Sequence, residues 1–300
     1  MKRSLITSIL AVLILSQGCE FEMSIGVGKK DPIPESSFKS NGLNSDPATM
    51  TVDDKASTSN IFTFGNVVKF EFNNVTGLKR INDLAFPGMS MCITNTLTDS
   101  TIYFSDDLLL KIDGGTDLTP LLLDAKFKTN LPHLNNEKYN IEIKIWDKKG
   151  SGKMTFSLPF EVKASDLLSI ENKDLKYSNI YFWDDTDKKV VLDNNVNARH
   201  EFILISEGLE GFDIVDGKAY PGISLFMTEK NGNEIIAEEN LIGTTSENGI
   251  DPIELRDNQA PVTLSFTYGN TSNPCHLTAK IFDLKNPEKY VIIETDLVLE

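Results

Sequence analysis

A ten-residue stretch of this chain occurs twice. Residues 85–94 read AFPGMSMCIT and residues 219–228 read AYPGISLFMT. A second matching pair, KIWDKK at 144–149 and KIFDLK at 280–285, follows at an offset of 136 residues instead of 134. Solenoid repeats are much shorter than this period, so each copy should bury a core of its own. The sequence therefore predicts a duplicated domain.

Apolar and polar residues alternate within each copy, which is typical of β-strands. VKFEFN at 68–73 and YNIEIKIWD at 139–147 are examples, and the turn KKGSG after the second predicts a hairpin with the next alternating run. Asn231-Gly232 predicts a second hairpin. Short alternating strands with turns every 8–12 residues predict an all-β chain of two tandem antiparallel β-sandwich domains with an immunoglobulin-like topology.

Two local features of the strands can be interpreted further. Pro87 and Pro221 each predict the first residue of a strand, because proline fixes φ and lacks a backbone donor. Gly88 and Gly222 follow them and are interpreted as residues that permit a sharp turn into the strand. In the last strand the apolar alternation changes near Glu294, which predicts a β-bulge there.

The N-terminus has the pattern of a signal peptide. Lys2 and Arg3 precede an apolar run from Leu5 to Leu15, and Gly18 lies directly before Cys19. The apolar run is shorter than the roughly 20 residues that a transmembrane helix needs. The chain is thus predicted to divide into a signal peptide (1–18), a lipidated cysteine with a flexible tether (19–35), a first repeat (36–163) and a second repeat (164–300) that includes a linker at 164–177.

These first 19 residues resemble a bacterial lipoprotein precursor. The stretch LSQGC departs from the usual lipobox at Ser16 and Gln17, a looseness similar to that of Bacteroidota lipoproteins. The resemblance implies cleavage before Cys19, a lipid on that cysteine and anchoring in the outer membrane. Glu20 and Glu22 resemble in part the acidic export signal of surface-exposed Bacteroidota lipoproteins. An ordinary secretory signal with a coincidental cysteine is the alternative.

The net charge of the chain argues against nucleic acid as a partner, and its cysteine content argues against a disulfide framework. The chain has 29 basic and 44 acidic residues, and cleavage before Cys19 removes two basic residues, leaving 27 − 44 = −17. This charge repels nucleic acid, which is therefore not expected as a partner. Cys92 and Cys275 lie in different repeats, so a disulfide framework is not expected.

Three aromatic residues are candidate ligand-binding residues. Trp146 and Phe282 occupy equivalent positions on the polar side of their strands, and Trp183 adjoins the acidic turn DDTD at 184–187. Exposed aromatic rings can stack on sugars or bind an apolar patch of a partner. The alternative interpretation is that loops or the neighbouring domain cover these rings.

Neither metal binding nor catalysis is predicted. DDTD lacks the spacing of an EF-hand loop, and a solvated turn explains it. His133, His200 and His276 lack the spacing of a zinc site. Cys275 and His276 are adjacent in a strand and point to opposite faces, so they cannot act as a nucleophile and its base. No catalytic residue, cofactor or metal is therefore assigned.

The sequence favours a non-enzymatic, lipid-anchored envelope protein that acts as a structural or adaptor module through contacts with other envelope proteins. The alternative is a surface lipoprotein that binds polysaccharide through Trp146, Phe282 and Trp183. An enzyme is the least favoured hypothesis, because no group of residues meets the geometric requirements of a catalytic site.

Overall fold

The computed structural model describes residues 33–243, 247–266 and 271–300. The predicted signal peptide, Cys19 and nearly all of the tether lie outside these residues. The strands of the first repeat are β1 (Ser37–Asn41), β2 (Thr49–Val52), β3 (Lys55–Ala56), β4 (Ile61–Thr63), β5 (Val67–Val75), β6 (Arg80–Ile81), β7 (Leu84–Ala85), β8 (Pro87–Asn95), β9 (Ser100–Ser105), β10 (Leu121–Lys128), β11 (Lys138–Asp147) and β12 (Lys153–Lys163).

The second repeat carries a similar set of strands, although β6 and β7 have no counterpart among its described strands. Its strands are β13 (Ser169–Lys173), β14 (Asn179–Asp184), β15 (Lys189–Val190), β16 (Asn195–Val196), β17 (Glu201–Glu207), β18 (Pro221–Thr228), β19 (Glu234–Glu238), β20 (Gln259–Ser265), β21 (Cys275–Asp283) and β22 (Tyr290–Leu299). An α-helix covers Pro252–Asp257, and a 3-10 helix in the first repeat covers Leu110–Ile112.

Each repeat contains a larger and a smaller sheet, and the first repeat also contains the two-stranded sheet β6-β7. In the first repeat the order β1-β12-β11-β8-β9 forms the larger sheet, with β4 beside β12, and β10-β5-β2-β3 forms the smaller one. In the second repeat the orders are β13-β22-β21-β18-β19, with β16 beside β22, and β15-β14-β17-β20. Neighbouring strands are antiparallel except for the short β4 and β16, which lie parallel to their partners.

The cores form because the inward residues of the alternating strands are apolar. The larger and smaller sheets of each repeat supply these side chains, among them Phe70 and Phe156 in the first repeat and Phe182 and Ile281 in the second. Burial of this kind is the main stabilising contribution in a sandwich. The prediction of an all-β fold made of antiparallel sheets in tandem sandwiches is confirmed.

The predicted bulge near Glu294 is wrong. Strands β21 and β22 pair without a register shift from Cys275 opposite Leu297 to Phe282 opposite Tyr290. Thr295 takes a core-facing position and is buried. A polar residue in the inward series therefore interrupts the apolar alternation, while the backbone register continues unchanged.

The Pro-Gly pairs begin strands, as predicted, but the interpretation of the glycines is wrong. Neither Gly88 nor Gly222 has a positive φ, so neither turn requires glycine for its backbone conformation. A Cβ atom at Gly88 would lie 2.2 Å from a ring atom of Trp146, and one at Gly222 would lie 2.5 Å from a ring atom of Phe282. Glycine is needed because an aromatic ring occupies the space of a side chain.

The two repeats contact each other directly. The rings of Phe64 and Tyr181 lie 5.1 Å apart between centroids, and a Cβ atom at Gly65 would lie 2.5 Å from Val190. Tyr181, Val190 and Ile205 are consequently buried in the core cluster of the first repeat. The end of the first sandwich therefore packs on the outer face of the smaller sheet of the second.

Candidate binding surface

Trp146 lies on the outer face of the larger sheet of the first repeat. It is directly opposite Gly88 on β8, and three atoms of its indole lie 2.2–2.5 Å from the position that a Cβ atom of Gly88 would take. The ring therefore lies across the glycine backbone. The side chain is half-buried, so part of the ring remains open to solvent.

Phe282 repeats this arrangement in the second repeat. It is opposite Gly222 on β18 and lies across that glycine. The ammonium group of Lys280 lies 5.7 Å from the centroid of the Phe282 ring and 4.9 Å from that of Tyr290. The equivalence predicted for Trp146 and Phe282 thus extends to the contact each ring makes.

Trp183 occupies a different kind of position. It lies on the outer face of the smaller sheet of the second repeat, where it packs against the core cluster of the first repeat. Its indole N–H donates a hydrogen bond of 3.2 Å to Asp185 Oδ1. The structure therefore does not bring the three predicted aromatic residues together into one site.

An exposed apolar patch on the outer face of the first repeat was missed by the sequence reasoning. Phe104 on β9 is 63% exposed and Ile102 is 42% exposed. Tyr103 between them packs inward against the core, so the two flanking side chains point outward. Cys92, which is half-buried, lies directly opposite Phe104 on β8. The uncharged run STIYFS at 100–105 is the sequence feature that could have indicated this patch.

The second repeat carries a patch at the equivalent place. Phe226 on β18 lies opposite Ala237 on β19, and Ile235 is also exposed. The aromatic residue is on the inner strand in this repeat and on the edge strand in the first, where Phe104 faces Cys92. Both repeats thus present apolar side chains at the same edge of the larger sheet.

Asp184 and Asp187 of the acidic turn DDTD lie close to His200. The side-chain atoms of these residues that could coordinate a metal ion lie within 4.8 Å of one another. Asp184 Oδ1 accepts hydrogen bonds from the backbone N–H groups of Thr186 and Asp187, and its Oδ2 lies 2.8 Å from His200 Nδ1. A hydrogen bond from Lys189 lowers the pKa of Asp187. These contacts account for the carboxylates as parts of a hydrogen-bonded turn.

A buried aspartate in each copy explains why KIWDKK at 144–149 and KIFDLK at 280–285 match. Asp147 accepts hydrogen bonds from the backbone N–H groups of Lys79 and Lys149, at 2.6 and 2.9 Å. Asp283 is fully buried and accepts from the backbone of Asp213 and Lys285 in the same way, at 2.5 and 2.8 Å. Each aspartate ties a preceding loop to the end of its strand, which is a structural role.

The pair Cys275 and His276 is arranged as predicted. Cys275 is fully buried and its burial raises the pKa of the thiol, whereas His276 is exposed on the opposite face. His276 Nδ1 lies 2.8 Å from Asp296 Oδ1 on the neighbouring strand. A thiol held in its neutral form and separated from the imidazole by the sheet is a core residue.

Comparisons with known proteins add only a distant structural likeness. No protein-family model matches the chain, and no curated protein matches it. Among the solved structures that match is the C-terminal domain of wzt, at 12% sequence identity and a TM-score of 0.35, covering 45% of this chain and 83% of that one. This likeness is too distant to carry an argument about function. Across the described ranges, the helices are too short or too polar to cross a membrane.

Proposed function

We propose that this protein is a non-enzymatic, lipid-anchored component of the cell envelope that binds other envelope proteins. The observation that carries the proposal is the exposed apolar patch of Phe104 and Ile102 on the outer face of the first repeat. Exposed apolar side chains that lie together on a protein surface mark sites of protein interaction. The negative net charge of the chain would repel nucleic acid, which leaves proteins as the favoured class of partner.

The contact between repeats supports a display role. Phe64 of the first repeat packs on Tyr181 of the second, and the Tyr181 hydroxyl donates a hydrogen bond to Glu207. Packing of aromatic rings in a shared core restrains the two sandwiches relative to each other. The pair therefore presents its outer faces in a fixed relation, which suits a module that positions partners.

Anchoring at the outer membrane, with the protein exposed at the surface, is part of the same proposal and rests on Cys19 and the residues before it. A lipid on Cys19 and a tether of sixteen residues, with a reach of roughly 20–25 Å, would hold the sandwiches near the membrane surface. Cys19→Ala is expected to move the protein from the membrane to the soluble fraction. A variant that stays fully membrane-bound contradicts the anchoring.

Protein binding is tested by cross-linking in the native membrane, followed by purification through a C-terminal tag. The proposal predicts a small, reproducible set of envelope proteins that is lost from Phe104→Lys but retained by Leu97→Lys. Leu97 is similarly exposed in the turn before β9. Recovery of lipid and bulk porin alone contradicts the proposal.

A second candidate function is polysaccharide binding, favoured by the placement of Trp146 and Phe282. Each ring lies across a glycine and remains partly open to solvent, an arrangement on which a sugar ring can stack. Two equivalent positions in one chain would add avidity. Trp146→Ala and Phe282→Ala should then weaken binding to a polysaccharide array, and unchanged binding in the double variant contradicts this function.

A further inference from the structure

We infer that β9 is a docking edge at which an extended segment of a partner protein adds as a further strand. The segment has apolar residues at alternate positions and lysine or arginine at both ends. This inference rests on the proposed function, because it names the partner class and the site of the protein contact. Strand addition at an exposed edge combines main-chain hydrogen bonds with side-chain contacts at alternate positions.

The backbone of β9 is available for this pairing. In the sheet order of the described residues, β9 is the last strand and pairs only with β8. An edge strand directs the N–H and C=O groups of alternate residues away from its neighbour. The pairing of β9 with β8 has a bulge at Ile102, because Ile93 lies opposite Tyr103 and the next residue, Thr94, lies opposite Thr101. The regular residues on either side of this bulge therefore offer hydrogen-bonding groups for one added strand.

The outward side chains supply contacts for the same strand. Phe104 and the bulge residue Ile102 both point away from the core and are both exposed. Residues directly opposite or diagonal across an antiparallel pair contact each other, and aromatic with β-branched pairs are among the favourable combinations. Apolar residues at alternate positions of the added strand would cover Phe104 and Ile102.

The equivalent edge of the second repeat gives an internal comparison. Strand β19 begins with Glu234 and ends with Glu238. Proteins commonly protect exposed edges with charged side chains that oppose unwanted pairing. Strand β9, Ser100–Ser105, has no charged residue. Both edge strands have a bulge, at Ile102 in β9 and at Ile235 in β19, so charge is the feature that distinguishes them. The same sheet edge is protected by charge in one repeat and left uncharged in the other, which points to β9 as the docking edge.

The acidic residues beside β9 define the charge of the partner. Asp99 precedes the strand, Asp106 follows it, and both are exposed. Among the ion pairs of the described residues, neither aspartate has a partner. If β9 paired with β9 of a second copy, Asp99 would lie near Asp106 of that copy, and opposed like charges are destabilising. A segment with a basic residue at each end fits instead.

The test uses the full chain carrying Cys19→Ser and a synthetic peptide in which valine and threonine alternate between two lysines at each end. We expect saturating peptide to slow hydrogen exchange at alternate amides of β9 at least tenfold, while the amides of β19 are unchanged. Phe104→Lys and Ile102→Lys should weaken binding at least tenfold, and Leu97→Lys should leave it unchanged. Each variant is first shown to retain the parent unfolding temperature.

A second experiment tests whether the partner segment has basic residues at its ends. A peptide with glutamate in place of lysine should bind at least tenfold more weakly, and the double variant Asp99→Asn, Asp106→Asn should reduce the difference between the two peptides. Absence of protection in β9, or equal affinity for Phe104→Lys, overturns the inference. If β9 gains no protection but envelope proteins are still captured by the Phe104→Lys variant, the assignment of β9 as the docking edge fails and the proposed function stands. If none is captured from any surface, the proposed function fails.

Discussion

The indole ring of Trp146 lies across the backbone of Gly88, in the space that a side chain at that position would occupy. Phe282 and Gly222 form the same pair in the second repeat. The glycine of each Pro-Gly pair and the aromatic residue of each KI(W/F)D motif are therefore parts of one contact between neighbouring strands. Coverage of a strand glycine by a ring on the neighbouring strand is a recognised way to stabilise a sheet.

Gly88→Ala should destabilise the first repeat by about 1–3 kcal/mol, because the added methyl group would displace the Trp146 ring. Gly114→Ala is the control, since nothing lies within 4 Å of a Cβ atom at that position, and a change within about 0.5 kcal/mol is expected. Chemical denaturation measures both. In a Trp146→Ala background, Gly88→Ala should cost less; an equal cost in both backgrounds contradicts the contact.

Phe64→Ala should uncouple the two repeats as well as reduce stability by about 3 kcal/mol. The Phe64 ring contacts Tyr181 across the boundary, so its loss should separate the thermal unfolding of the two repeats into two calorimetric transitions. Phe62→Leu is a matched control, because Phe62 contacts Phe127 and Phe160 within the first repeat. A single transition for Phe64→Ala, or two transitions for both variants, contradicts this role.

Asp283→Ala should cost about 2–4 kcal/mol, because it leaves the backbone N–H groups of Asp213 and Lys285 without their acceptor. Asp283→Asn keeps one carbonyl oxygen and should cost less. Asp117→Ala, at an exposed loop position, should change the free energy of unfolding by no more than about 0.5 kcal/mol. Equal stability of the Asp283→Ala and Asp117→Ala variants would refute the proposed role of the buried carboxylate.

Acid should weaken the fold in part through Asp107. Burial alone would raise the pKa of this carboxyl, but hydrogen bonds from Lys148 and from the backbone of Met89 and Leu109 outweigh burial and lower it. Because the folded pKa lies below the unfolded one, Asp107 stabilises the fold above the unfolded pKa of about 4. That contribution is lost as pH falls through the lower, folded pKa.

The corresponding measurement is the free energy of unfolding between pH 6 and pH 2. Asp107→Asn should be less stable than the parent at pH 6, and the difference should shrink toward pH 2. Asp106→Asn is a control, because Asp106 is exposed beside it. A constant difference between Asp107→Asn and the parent over this range would exclude the assigned contribution.

The sequence alone predicted the features that depend on local pattern. The alternation of β5, β11 and β12 gave their inward faces, and the turn at Asn231-Gly232 gave the β18–β19 hairpin that the structure contains. These predictions succeed because the two-residue period of a strand is visible wherever one face is buried. The duplication reinforces these predictions, because the stretches at 85–94 and 144–149 recur at 219–228 and 280–285.

Features set by the arrangement of strands and repeats were not predictable in the same way. Trp183 and Phe104 both occupy outward positions in their strands, yet the first packs against the neighbouring repeat and the second is exposed. Alternation assigns a side chain to a face but does not say what covers that face. The reason for Gly88 was also hidden, because the ring that requires it lies on a strand nearly sixty residues away.

We propose that a protein partner binds the first repeat at β9. A photo-cross-linking amino acid placed at position 104 of the full chain in intact cells tests this directly, with position 253 as a control. Ile253 is similarly exposed, at 57%, on the helix of the second repeat. A discrete cross-linked protein is expected from position 104 and none from position 253. Absence of a discrete product at 104, or the same products from both positions, would contradict it.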